Sequence, residues 1–133
     1  MTKTYGLLLA GMFAMGCADY GAQEKAALDS VIKVHDKVMG EDEQLLKNKA
    51  KLDNLVKAKA GIKDSTSSYL NKVVLADSAM DTWMHNFTPD LTGKPHDEKM
   101  SYLKKQKMLI IQIDSEMNSA ITTSTGYLVK MKK

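Results

Sequence analysis

The chain has 133 residues, with 19 basic side chains, all of them lysine, against 16 acidic ones, a formal net charge of +3 and a single cysteine. Lysines alternate with acids and arginine is absent, so the charge reads as a solvated surface, which excludes the arginine-bearing basic stripe of a nucleic-acid binder. One cysteine excludes disulfide staples and thiolate zinc sites. In chain order, residues 1–16 come first, with one charge at Lys3 and then the apolar run Tyr5 to Gly16. Those are the proportions of a cleaved export signal. A membrane-spanning helix needs about 20 apolar residues, and Asp19 follows too soon.

The segment Ala14-Met15-Gly16-Cys17 resembles the lipobox of bacterial lipoproteins, with Ala14 where that family favours leucine. The resemblance implies cleavage before Cys17, a diacylglycerol on its thiol and an acyl chain such as palmitate on the new amino terminus. One acyl chain holds a protein only marginally, so several on one residue make a stable anchor. The expected location is the cell envelope, with the membrane as partner through the lipid. Ala18 stands where aspartate would signal inner-membrane retention, which favours the outer membrane and leaves its periplasmic or surface face open. Removal of residues 1–16 leaves 117 residues with 18 basic and 16 acidic side chains, enough for one core.

Residues 17–22 then form the lipidated cysteine and a tether, with Asp19 or Gly21 available to open a helix, and residues 23–133 form the domain. From Gln23 to Ala60, Leu28, Val31, His35, Val38, Leu45, Leu52 and Val56 recur at spacings of three, four or seven, a helical stripe close to a heptad seam. Gly40 interrupts it and is expected to bend or divide the helix, since glycine costs about 1 kcal/mol in a helix interior. Gly61 is a stop signal, and Asp64 or Ser65 can cap the next helix. Its stripe reads Leu70, Val73, Asp77, Met80, Met84 and Phe87, and Thr88-Pro89 ends it. After the loop Asp90 to Lys94, Pro95 suits a first helical position. The third stripe runs Leu103, Gln106, Ile110, Ile113, Met117, Ala120, Ser124, Tyr127 and Met131. Three helices, over about residues 23–60, 65–87 and 96–131, joined by short loops, predict an all-α, up-down-up three-helix bundle. The alternative of one long coiled coil conflicts with Gly61 and the Pro89 to Pro95 loop.

Hairpin registers place His35 near Met84 and Phe87, with Met39 one turn from His35 and His85 beside Met84. Imidazole and thioether together suit copper, so His35, Met39, Met84 and His85 are the candidate metal ligands. The competing reading is that methionines fill irregular core space and His35 is bonded to a neighbour. Asp77 lies on a core stripe, where an unpaired carboxylate is costly; it either pairs with Lys49 or faces water. No second acid or base is tuned against it, and no glycine-rich phosphate loop or Gly-x-Ser-x-Gly elbow occurs. The expectation is a protein without catalysis and, apart from the lipid, without a cofactor. An interaction surface, for an envelope protein partner, would use Leu46, Tyr69 and Tyr102 beside the stripes.

The blocks His35-Asp36-Lys37-Val38-Met39, Trp83-Met84-His85-Asn86-Phe87 and Tyr102-Leu103-Lys104-Lys105-Gln106 resemble a family of small bacterial envelope lipoproteins, some labelled "viral A-type inclusion protein". The resemblance spans about Leu28 to Ile121. It implies a lipid-anchored helical protein, and it implies no reaction, cofactor or binding residue.

Overall fold

A computed structural model describes residues 19–58, 61 and 63–132; the expected export signal and lipid-bearing Cys17 lie outside the described residues. Three helices follow in order, α1 (Tyr20–Ala58), α2 (Lys63–Asn86) and α3 (His96–Met131), and together they form an all-α three-helix bundle. None of them is long and apolar enough to cross a membrane.

Asp19 opens α1. Its side chain accepts from Ala22 N–H at 3.0 Å and its carbonyl from Gln23 N–H at 3.1 Å, satisfying donors that a helix start leaves open. Val31, Val38, Leu45 and Leu52 are fully buried and recur every seventh residue, which keeps the seam turned toward the other helices. Contrary to expectation, α1 runs through Gly40 as one helix of 39 residues. Gly40 is exposed, and a Cβ there would meet nothing within 4 Å. The propensity cost is outweighed by the seam residues on either side.

In α2 the buried face is Thr66, Val73, Ala76, Met80 and Trp83. The expected stripe is therefore corrected at two places: Ala76 rather than Asp77, and Trp83 rather than Met84, turns inward. Both sets obey spacings of three and four. Burying the indole removes far more apolar surface than burying the thioether, and it leaves the carboxylate of Asp77 at the groove's edge. The expected α3 stripe is buried at Leu103, Ile110, Ile113, Met117, Ala120, Ser124 and Tyr127, with Leu128 added and Gln106 and Met131 half-buried. Pro95 precedes the first helical residue with φ of −58° and its carbonyl accepts from Lys99 N–H at 3.1 Å. In the connection, Asp90 accepts from the Thr92 amide and hydroxyl, and Gly93 takes φ of +81° inside a turn closed from Lys94 N–H to Leu91 O at 3.2 Å. Glycine adopts that angle without a Cβ clash.

Side-chain bonds between α1 and α3 join residues 72 to 77 apart all along the bundle, so these two helices are parallel and α2 runs back between them. With 24 residues against 39 and 36, α2 is the short member. At the near end, where α1 and α3 begin, Phe87 and Leu91 of the connection pack against the core instead. The core and its packed neighbours lie between Ala27 and Met131, so residues 18–133 carry all of it.

Candidate functional site

His35, Met39, Met84 and His85 fall near one level of the α1/α2 face but do not all turn to one place. Met39 and Met84 line the same depression, about 420 Å³ in volume, together with Asp42, Asp77 and Asp81. Neither histidine lines it. His35 Nδ1 donates to Asp36 Oδ1 at 3.0 Å, and its ring lies 5.8 Å from that of Trp83. His85 Nδ1 donates to the Asp81 carbonyl at 2.8 Å, one turn back on its own helix, with its side chain 75% exposed. Among the described residues no three histidine, cysteine, aspartate or glutamate side chains are grouped to hold a metal ion. The convergent soft donors are thus two thioethers, ringed by carboxylates.

Those carboxylates are not equivalent. Lys49 Nζ lies 3.4 Å from Asp77 Oδ2 with both side chains about one-third exposed, the pairing that hairpin register allows. Asp42 titrates above the ordinary carboxylate value of 3.8, first because burial disfavours its charge and second because Asp77 is nearby. Earlier on α1, Lys37 Nζ donates to both oxygens of Asp114 at 2.7 Å, which favours the charged ammonium. One oxygen of Glu41 and Nε1 of Trp83 are buried without a hydrogen-bond partner.

The three sequence blocks of the envelope-lipoprotein resemblance meet in space. His35 tilts against Trp83, which stacks on Phe87 at 4.7 Å, and Phe87 lies parallel to Tyr102 at 6.3 Å. Tyr102 also accepts from Thr88 N–H at 2.8 Å. Of the three residues expected to present a surface, only Leu46 is exposed. Tyr102 is corrected to a packed residue of this ladder, and Tyr69 to one stacked 4.3 Å from Tyr127. Exposed apolar side chains occur instead at Met108, Leu109 and Ile111 on α3 and at Leu75 on α2.

Two polar clusters were not assembled by the sequence expectations, which placed Ser124 and Tyr127 on the third stripe without partners. At the far end, Asn48 is 1% exposed. Its Nδ2 donates to Ser124 Oγ and Thr125 Oγ1 at 2.8 Å each and to Ile121 O at 3.3 Å, while its Oδ1 accepts from Gln44 Nε2 at 2.9 Å. The Thr66 and Tyr127 hydroxyls are hydrogen-bonded nearby at 2.7 Å. Asn48 lies three residues after Leu45 and four before Leu52, so seam spacing alone marked it as inward. At the near end Glu24 accepts from His96 Nδ1 at 3.0 Å and Lys99 Nζ at 2.9 Å. Its carboxyl titrates below the ordinary 4.5, chiefly through the bond from Lys99 and then that from His96. Tyr20 stacks on His96 at 4.1 Å. A cavity of about 400 Å³ opens between α1 and α3 beside Asn48. The chain matches no family model, no curated protein and no solved structure.

Proposed function

We propose that the chain is a lipid-anchored protein of the bacterial cell envelope, held through Cys17, whose bundle acts as a structural or protein-interaction module without catalysis. The observation that carries the interaction reading is the outward face of α3. Met108 and Ile111, three residues apart on one side of the helix, leave 59% and 47% of their surface in water, away from the stripe that fills the core. Leu109, 39% exposed, lies at the α2/α3 groove. Single exposed apolar residues are ordinary, whereas a contiguous group of them marks an interaction surface. The lipobox-like segment Ala14 to Cys17 supports the anchor, as does the resemblance to envelope lipoproteins.

Two measurements test the proposal. Cys17→Ser in the full chain is expected to abolish labelling by a fatty-acid probe and to release the protein from membranes; an unlabelled wild type with a membrane-bound mutant would remove the anchor. A photo-cross-linking amino acid at position 108, in cells, is expected to give one discrete adduct with an envelope protein, lost when Ile111→Lys is added. Adducts independent of position 111 would remove the interaction reading.

A second reading, a copper-binding bundle, is favoured by one feature: Met39 and Met84 border the same depression. Tight one-to-one binding of Cu(I) against a competing chelator, lost in Met39→Leu and Met84→Leu, is the result it requires.

A further inference from the structure

We propose that the far-end cavity between α1 and α3 binds a single-chain amphiphile with an anionic head group, of the fatty-acid class. Its volume of about 400 Å³ falls in the range of roughly 300–1,000 Å³ typical of small-molecule sites. The walls divide chemically. Leu55, Leu128, Val129 and Met131 supply an apolar surface, and of these Val129 is left 55% exposed, uncovered by any helix of the bundle. Lys51 and Lys132 also line the cavity, and among the described residues no aspartate or glutamate does.

The sign of the ligand's charge follows from what those lysines lack. Lys25, Lys37, Lys47, Lys49, Lys94 and Lys99 each lie within ion-pair distance of a carboxylate. Among the described residues neither Lys51 nor Lys132 does; several other surface lysines are likewise unpaired, and what these two add is that both line an apolar cavity. Two unpaired ammonium groups over an apolar wall attract an anion that carries a hydrocarbon chain and repel a cationic one. Thr125 adds a polar contact at the inner end, where its hydroxyl is held by the buried Asn48 amide at 2.8 Å. Asn48 is in turn fixed by Ser124 and Gln44, so that end is pre-organised before any ligand arrives. Two other grooves differ in kind. The α1/α2 depression is bordered by three aspartates, and the α2/α3 depression mixes Lys72 with Glu116. The groove of Ala27, Met100 and Leu103 also carries two lysines, Lys104 and Lys107, and among the described residues no acid. It lacks the buried amide cluster at its inner end and serves as the comparison in the test.

Calorimetric titration of residues 18–133, after circular dichroism has shown the protein helical, tests this with three probes below their micelle concentrations: dodecanoate, dodecyl phosphate and dodecyltrimethylammonium. The expected result is saturable one-to-one binding of both anions, with the ammonium probe at least tenfold weaker. Stronger binding of dodecanoate assigns a free fatty acid, and stronger binding of dodecyl phosphate assigns a phosphate-headed lipid. The double change Lys51→Glu and Lys132→Glu is expected to weaken the anions at least tenfold. Val129→Glu, at a half-exposed site that the fold does not need, is expected to do the same. Lys104→Glu, in the groove of Ala27, Met100 and Leu103, should change nothing, and a loss of binding there would overturn the assignment to the far-end cavity. Equal affinity for the cationic probe, binding indifferent to the two lysines, or no saturable binding would overturn the proposal. None of these outcomes bears on the anchor at Cys17 or on the face at Met108.

Discussion

At the near end of the bundle Glu24, His96 and Lys99 join α1 to α3 through charge-assisted bonds, in side chains left about one-fifth exposed. At the far end Asn48, Ser124 and Thr125 join the same two helices through neutral hydrogen bonds, two of the three residues fully enclosed. The difference follows from the length of α2. Where the third helix is present, a polar group at the seam is cut off from water, and a charge there would incur a desolvation cost that pairing seldom recovers. A neutral amide with every donor and acceptor used is compatible with such a site. Where α2 has ended and only the Phe87–Leu91 connection covers the core, water screens the pair and charges are tolerated. The far-end amide also fixes register, since sliding α3 by one turn against α1 would leave Asn48 without its partners.

The comparison can be broken outright at the point both ends share. Ile110 is fully buried, so Ile110→Asp is expected to cost more than about 4 kcal/mol and to unfold both ends together. Urea unfolding followed by circular dichroism and by Trp83, the sole tryptophan, should show one coincident transition in the wild type; separate transitions would mean that the ends fold independently. Asn48→Ala comes next, at about 2–3 kcal/mol, because it leaves enclosed acceptors unpaired and opens a small cavity. That loss should be the same from pH 4 to pH 8, there being no ionisable group in the cluster apart from the Tyr127 phenol. Gly40→Ala, between the two ends, is expected to stabilise by about 0.5–1 kcal/mol, read as a rise in melting temperature. A fall would show that α1 uses the glycine after all.

The smallest effect sharpens the contrast most. Glu24 titrates below its ordinary value of 4.5 in the folded protein, so its bonds add stability above that pH and lose it as the pH falls through the lower, folded value. Glu24→Gln should therefore lower the melting temperature modestly at pH 7, and the difference from wild type should shrink in acid below about pH 4.5. High salt should shrink it too. A difference that persists unchanged at pH 3 would show that packing, not charge, holds the near end.

Helix number, order and most of the core were legible because the seam residues repeat with helical spacing in α1 and α3. Loop signals were legible as well: Gly93 and Pro95 occupy the turn and the helix entrance that their backbones suit. The rotation of α2 was not, because Val73-Ala76-Met80-Trp83 and Val73-Asp77-Met80-Met84 satisfy the same periodicity and only the size of the indole separates them. Gly40 misled because propensity is a local quantity and the seam on both sides is not. The metal candidates illustrate the same limit. Spacing brought Met39 and Met84 to one depression, yet the direction of each imidazole depends on its bond to Asp36 or Asp81. The Glu24 cluster joins residues 72 and 75 apart in the chain, which no local pattern announces.

Asp19 starts α1 so early that only Ala18 and Asp19 separate Cys17 from the first helical residue, Tyr20. Three residues span at most about 11 Å even when fully extended, while the 39 residues of α1 rise about 58 Å. With acyl chains on Cys17 as proposed, the bundle would be a post whose foot rests among lipid headgroups, rather than a globule on a leash. Height above the membrane then becomes a property written into the chain. The Met108 face would meet molecules some 20–30 Å out and the Asn48 end those at roughly twice that distance, so each would sample a different layer of the envelope. Inserting a flexible glycine-serine segment after Ala18 would keep every contact in the bundle and abolish the ruler.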